Sequence, residues 1–256
     1  MKYGRILIGI PAYKRANLLK INLEYNIKEI QENFRQVGFE VDMLVIGSSS
    51  EEGDVVRSFG DKIYYEEIPN FLSNKKNLIL QRAKQQKYDF LIWLDSDDFV
   101  PIDLLARLLV TAKKNGYWAS VSNIYFFNAQ DHRLIFFEGY SIGHELNKQG
   151  LGTARVFTKK LISLLPENVF GVNRERSMDS QIAPFLNALN IDPKKRLINS
   201  EYHNTILGIK TSQNIWSMDA YENKAFQMLY DLNSHLFSWL PKETKDQILS
   251  LNFENP

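Results

Sequence analysis

The chain has 256 residues, 44% hydrophobic and 24% charged, with a formal net charge of +1 and no cysteine. That length supports a full core in one large α/β domain or two small ones, and the near-zero charge gives no global reason to expect nucleic acid or an anionic membrane as partner. The missing cysteines exclude disulfides and thiol chemistry and are compatible with a reducing cytoplasm.

The N-terminal apolar stretch covers only 6–10 before Pro11, which is too short for a signal segment, and no later run is long enough to span a membrane. A soluble cytoplasmic protein is expected, or one held peripherally at the inner membrane surface. Residues 5–10 (RILIGI) predict a buried strand ended by Pro11. Leu19, Leu23, Ile27, Ile30 and Phe34 then recur at spacings of three and four, one face of an amphipathic helix that Gly38 ends. Residues 41–47 (VDMLVIG) read as a second strand and SSSEEGD after it as a polar loop. A third strand is expected over 62–68, a helix N-capped by Ser73 over 73–86, and a fourth strand over 88–94. Pro101 and Asp103 open a helix that runs to residue 114.

Strands that are apolar without interruption, alternating with helices, imply a mainly parallel sheet covered on both faces. Ligands of such sheets bind beyond the carboxyl ends of the strands. Those ends, at 11–15, 47–54 and 95–98, are all polar here and should converge on one crevice. The second half reads as a β-hairpin turning at 128–132, then a glycine-rich loop with Gly150 and Gly152, a strand and short helix, and a helix with Asp179 in its first turn. Residues 208–216 suit a lid or acceptor loop. The tail, with Leu236, Phe237, Trp239, Leu240, Ile248, Leu249 and Phe253, suits core packing, a homodimer face or an interfacial membrane helix.

The run FLIWLDSDDF (90–99) drives an apolar strand into Asp95, Asp97 and Asp98. Crowded carboxylates raise each other's pKa unless a cation sits among them. A hard divalent ion, Mg2+ or Mn2+, takes oxygen ligands from one or two carboxylates and completes its shell with phosphate and water. The plainer reading is a solvated turn in which Asp98 or Asp103 caps the next helix.

ILIGIPAYKRANLL resembles the opening strand and loop of family 2 glycosyltransferases with the GT-A (Rossmann-like) fold. LIWLDSDD resembles their Asp-X-Asp segment, and SNKKNLILQRAKQQKYDF the helix before it. The resemblance covers about residues 4–110 well. It implies a single α/β GT-A domain over 1–256, with 1–116 as the nucleotide-sugar-binding half and 117–256 as the acceptor half with a helical tail. It further implies that Pro11, Ala12, Tyr13 and Arg15 line a nucleotide pocket, with Tyr13 near the base. Asp95 would then bond ribose, beside Ser96, and Asp97 would hold the metal. Lys76 and Asn77 fall where the family's Arg-Asn pair contacts nucleotide or braces the acidic loop. In the family's Asp-Asp-Gly-Ser after the second strand, Gly47 and Ser48 replace the two acids; Ser48 can still hydrogen-bond the nucleotide and Glu51, Glu52 or Asp54 could compensate, but the change weakens the case for uracil as the base. Asp179 matches the family's catalytic base, and His203 a late histidine that completes the metal shell in some members.

A metal-dependent, inverting transfer from a nucleotide-sugar donor, with a UDP-sugar the first candidate, is therefore expected. The acceptor stays open among a glycan, a lipid-linked sugar, a protein and a modified DNA base. Lys159, Lys160, Arg174, Arg176 and the run 194–196 could surround an anionic acceptor or be solvated surface. Two other classes are weighed. A nucleotidyltransferase that forms nucleotide sugars would ordinarily carry a glycine-rich phosphate loop after the first strand, which IPAYKRANLL lacks. A non-catalytic nucleotide- or sugar-binding module would keep the crevice and dispense with the base.

Overall fold

A computed structural model describes residues 3–69, 71–141, 144, 146–211, 225–228 and 230–251. The first half runs β1 (Gly4–Pro11), α1 (Ala16–Tyr25), a π-helical turn (Asn26–Gln31) into α2 (Glu32–Gln36), β2 (Phe39–Gly47), α3 (Ser50–Arg57), β3 (Tyr64–Glu67), α4 (Leu72–Gln85), β4 (Phe90–Trp93), β5 (Asp98–Phe99) and α5 (Ile102–Asn115). The second runs β6 (Trp118–Val121), β7 (Ile124–Asn128), β8 (Leu134–Phe137), β9 (Val156–Thr158), α6 (Lys159–Leu164), α7 (Met178–Ala188), β10 (Leu197–Ile198), β11 (Ile206–Lys210), β12 (Ala225–Met228) and α8 (Lys242–Leu249).

The main sheet has the order β10-β6-β9-β4-β1-β2-β3, and β9 is the one strand antiparallel to its neighbours. Its strands are apolar on both faces because both faces are covered. Ile6, Ile8 and Ile10 of β1 join the cluster that includes α1 and α5, while Leu7 packs with Ile79 and Leu80 of α4. Gly9 permits that second contact, since a Cβ there would meet the Ile79 Cγ2 at 2.3 Å. The α/β class and mainly parallel sheet expected from the sequence are what the structure has.

A second sheet, β12-β8-β7-β11-β5, leans on the same core. The 117–139 stretch is thus divided. β6 completes the main sheet, and the β7–β8 hairpin, turning at the expected place, belongs to the second. The acidic turn joins the two sheets, because β4 ends at Trp93 and Asp98–Phe99 pairs with Leu207–Gly208 of β11.

Several local expectations are corrected. SSSEEGD is not a loop. Ser49 and Glu52 form a reciprocal capping box, and α3 begins there. Ser73 lies inside α4, whose N-cap is Phe71, and its hydroxyl instead accepts from the Arg174 amide at 2.8 Å. Asp98 caps nothing, being part of β5, and α5 starts from Pro101. Residues 208–210 of the expected lid are strand, and 212–216 lie outside the described residues. In the tail, Leu236, Phe237, Leu240 and Ile248 are buried in the core, and Phe253 lies outside the described residues. Among the described residues no helix is long and apolar enough to cross a membrane.

Candidate functional site

The carboxyl ends of β1 and β4 open on a cavity of about 520 Å³ that the second sheet and the start of α7 close from the other side. Pro11, Ala12, Tyr13, Arg15, Lys76, Asp95, Ser96, Asp97 and Asp179 all line it, so most of the residues singled out from the sequence meet in one place.

The acidic turn is fixed by groups that sequence reading did not single out. Buried Asn22 of α1 donates to the Asp98 carbonyl at 2.8 Å, and the Tyr25 hydroxyl donates to the Val100 carbonyl at 2.8 Å. From the other side the Ile209 amide donates to the Asp97 carbonyl at 2.8 Å. Packing the carboxylates this tightly shifts them. Burial raises the Asp95 pKa, Lys76 opposes, and Asp97 and Asp179 push it higher. Asp98 is raised well above the ordinary carboxylate range, by burial first and by Asp97 and Asp95 after it.

Cations stand against these acids. Arg15 Nη1 lies 3.1 Å from Asp97 Oδ2, Lys210 Nζ lies 3.9 Å from the same oxygen, and Lys76 Nζ lies 3.8 Å from Asp95 Oδ1. Arg15 reaches its place from a strained turn. Lys14 and Arg15 both have left-handed backbone, at φ 53° and 64°, which costs about 1–2 kcal/mol each for residues with a Cβ. Lys75 is buried beneath Tyr13, 5.2 Å from the ring centroid, and donates to the Ala12 carbonyl. Burial pushes its pKa down to about 8, against the opposing pull of Glu52.

The facing wall is built around Asp179. α7 begins at Ser177, another left-handed residue at φ 63°, and carries Asp179 in its first turn. Arg155, only 1% exposed, donates from Nη1 to Asp179 Oδ1 at 3.1 Å. Gly152 is required here, because a Cβ would lie 2.5 Å from Asp179 Oδ2. Gly150 answers a different need, with φ 65° and no room for a Cβ beside the Val121 carbonyl. The remaining lining is largely aromatic. Phe126 and Phe137 come from the hairpin, and Tyr140 stacks on His144 with centroids 4.6 Å apart. Burial, and then Asp179, pushes the Tyr140 hydroxyl up to about 12.

Three of the predicted residues are not brought to the cavity. Ser48 does not line it, and its amide donates to Glu52 Oε2 at 2.6 Å. Of the acids after β2, it is Glu52 that turns inward, fully buried, while Asp54 pairs with exposed Arg57. Asn77 is a brace. Its amide donates to the Gly171 carbonyl at 2.6 Å and its oxygen accepts from the Phe170 amide at 3.2 Å. His203 is a surface residue 3.2 Å from Glu201 and does not line the cavity. Lys159, Lys160, Arg174, Arg176 and Lys194, Lys195 and Arg196 do not line it either, and Arg196 stacks on Trp118 in the interior.

The donor set fits a hard divalent cation of the magnesium or manganese kind. Asp97 and its neighbours offer crowded carboxylate oxygens whose mutual repulsion a cation would relieve. No preformed group of three or more His, Asp or Glu ligands occurs among the described residues. An ion that relies on one or two carboxylates with phosphate and water does not need one.

Neither a protein-family model nor a curated protein sequence matches the chain. Solved structures do. A 4-diphosphocytidyl-2C-methyl-D-erythritol synthase from Anaerococcus prevotii is similar at 13% identity, over 78% of this chain and 89% of that one, with a TM-score of 0.48. A CMP:2-keto-3-deoxy-manno-octonic acid synthetase complexed with CTP is similar at 11% identity, over 81% and 89%, with a TM-score of 0.43. Residues 1–349 of TarS from S. aureus are similar at 14% identity, over 83% and 59%, with a TM-score of 0.45. At such low identities and TM-scores these likenesses say nothing of this chain's substrate.

Proposed function

We propose that this chain transfers a sugar from a nucleotide-sugar donor to an acceptor hydroxyl, with inversion at the anomeric carbon. The observation that carries the reading is the facing of two unlike acid sites across one cavity. On one side is the cation-laced cluster of Asp95, Asp97 and Asp98; on the other is Asp179, in the first turn of a helix and held by buried Arg155.

In this reading the nucleotide lies along the strand ends, over Ala12 and Tyr13, with Asp95 on ribose and Arg15 and Lys76 near the phosphates. A divalent cation on Asp97 would neutralise charge on the departing diphosphate. Asp179 accepts the proton of the acceptor hydroxyl as its oxygen bonds to the anomeric carbon. The bond from that carbon to the phosphate oxygen breaks, and its electron pair leaves with the diphosphate. Arg155 and Gly152 hold the base in place, and the aromatic wall keeps water from the reacting centre. Lys159, Lys160, Arg174, Arg176, Lys194, Lys195 and Arg196 do not line the cavity, so they supply no basic surface to an anionic acceptor there.

The test is to incubate the protein with a panel of nucleotide sugars, manganese and candidate acceptors, and to read the product's anomeric configuration by NMR. An α-linked donor should give a β-linked product. Retention of configuration would remove Asp179 from its role. Pyrophosphate release from a nucleoside triphosphate and a sugar phosphate would replace the reading with nucleotidyl transfer.

A further inference from the structure

Lys210 falls in the segment expected from the sequence to be a lid or acceptor loop, yet the structure holds it in a strand beside the acidic turn. It is the last residue of β11, whose register against β7 sets it opposite Asn128. The Ala129 amide donates to its carbonyl at 3.0 Å, and the preceding residue bonds the acidic turn itself, at the Asp97 carbonyl. The backbone is therefore pinned beside the carboxylates, while a flexible four-carbon stem runs into the cavity with its ammonium 4.5 Å from the Phe126 ring centroid. The side chain is 12% exposed.

Lys210 and Arg15 converge on a single oxygen, Asp97 Oδ2, at 3.9 and 3.1 Å. The lining as a whole holds four cations, Arg15, Lys75, Lys76 and Lys210, against five carboxylates, Asp95, Asp97, Asp98, Glu175 and Asp179. A polyanion therefore finds no surplus positive charge until something occupies the carboxylates. Anything that takes Asp97, such as a divalent cation, loosens the hold on Arg15 and Lys210 together, while Lys210 still faces Asp95 and Asp98. Arg15 has a further buried donor, Nε, with no acceptor among the described residues.

We propose that Lys210 and Arg15 form a protein-borne diphosphate site that Asp97 holds in check. This deepens the functional reading above and rests on it for the identity of the leaving group. In the resting protein Asp97 occupies both cations. When its charge is taken by a metal ion, Lys210 and Arg15 pass to the phosphate oxygens, and Lys210 is the one whose stem can follow them. Metal and diphosphate are thereby coupled through one carboxylate, and the protein retains weaker diphosphate affinity of its own.

Titration calorimetry of the full chain with inorganic pyrophosphate and with UDP, in EDTA and in manganese, tests this. Wild type should bind both probes in EDTA, more weakly than in manganese. Lys210→Met should lose about 10- to 100-fold in manganese, where Asp97 is taken, the worth of one charge-assisted hydrogen bond to phosphate, and a smaller factor in EDTA. Asp97→Asn should change in the opposite direction, binding pyrophosphate more tightly than wild type in EDTA while losing the manganese enhancement. Lys210→Gln serves if the methionine variant does not fold. Binding that requires manganese in wild type, or that Lys210 variants leave unchanged, overturns the proposal. So does weakened binding by Asp97→Asn in EDTA. None of these results touches sugar transfer itself, which fails separately if no donor is consumed.

Discussion

The two walls of the cavity solve the same electrostatic problem differently. On the first-half wall, three acids within four positions share Arg15, Lys76 and Lys210, so charge is spread over a network. On the second-half wall, where Glu175 also lies in the lining, Asp179 has a buried partner in Arg155 and a glycine cut to its shape. A network suits a ligand whose charge is itself spread out, as in a diphosphate. A single carboxylate in a fixed pose suits the transfer of one proton. The contrast predicts that substitutions on the first wall alter binding and those on the second alter turnover.

The largest effect should come from the second wall. Asp179→Asn removes the proposed base and keeps the shape, so turnover should fall by about 10²–10⁴-fold, with manganese-supported nucleotide binding retained. Gly152→Ala tests the pose without touching the charge. The new Cβ would lie 2.5 Å from Asp179 Oδ2, so the carboxylate must move. A displacement of about 1 Å can cost roughly 10²-fold in rate. If either variant lost nucleotide affinity in step with its rate, the division between the walls would be wrong. Steady-state kinetics set beside calorimetry decides it.

The walls also differ in how much of them could be read from the sequence. The first announces itself because continuous apolar strands make a parallel sheet, and such sheets place function at their strand ends. Its acids follow one strand without a gap. Of its cations the family resemblance indicates Arg15 and Lys76, but not Lys75 or Lys210. Lys75 and Lys76 lie four and three positions before Ile79, on the face of α4 that packs inward, and two lysines on an apolar helical face were a usable signal. Arg155 gave a comparable sign, a charge set between Ala154 and Val156 at the opening of a buried strand. Lys210 and Asn22 gave none. Their roles depend on β11 and α1 meeting the acidic turn, and contacts so distant in sequence have no local signature. His203 failed for the same reason in reverse, since its place after the base helix says nothing of which way the chain turns.

A smaller effect separates the walls by pH. Burial sets the Lys75 pKa at about 8, below the ordinary lysine value of 10.5. Between those values the unfolded chain binds the proton more tightly than the folded one. Stability is therefore lowest below about pH 8 and should rise as the pH climbs toward 10.5. Lys75→Met removes the buried charge and its bond to the Ala12 carbonyl together, so the gain at pH 7 should be on the order of 1–3 kcal/mol at most. Thermal melts of both proteins from pH 7 to 10 should converge with rising pH. Parallel curves would show that Lys75 is not desolvated, and that the floor of the first wall is wetter than its packing indicates.

The smallest effect concerns the start of α3. The Ser49 hydroxyl accepts from the Glu52 amide at 3.3 Å, while the Glu52 carboxylate accepts from the amides of Ser48 and Ser49 at 2.6 and 3.1 Å. Ser49→Ala breaks only the first of these bonds. It should cost about 1 kcal/mol, the usual worth of a serine cap, and lower Tm by about 2–4 °C. Ser49 does not line the cavity, so nucleotide binding measured at 25 °C should stay as it was. This outcome would mark α3 as scaffold behind the first wall. A loss of nucleotide affinity larger than the loss of stability would mean instead that the turn of Ser48 to Glu52 touches the ligand. The buried Glu52 carboxylate, with one oxygen lacking a hydrogen-bond partner among the described residues, would then become the candidate reader of the base.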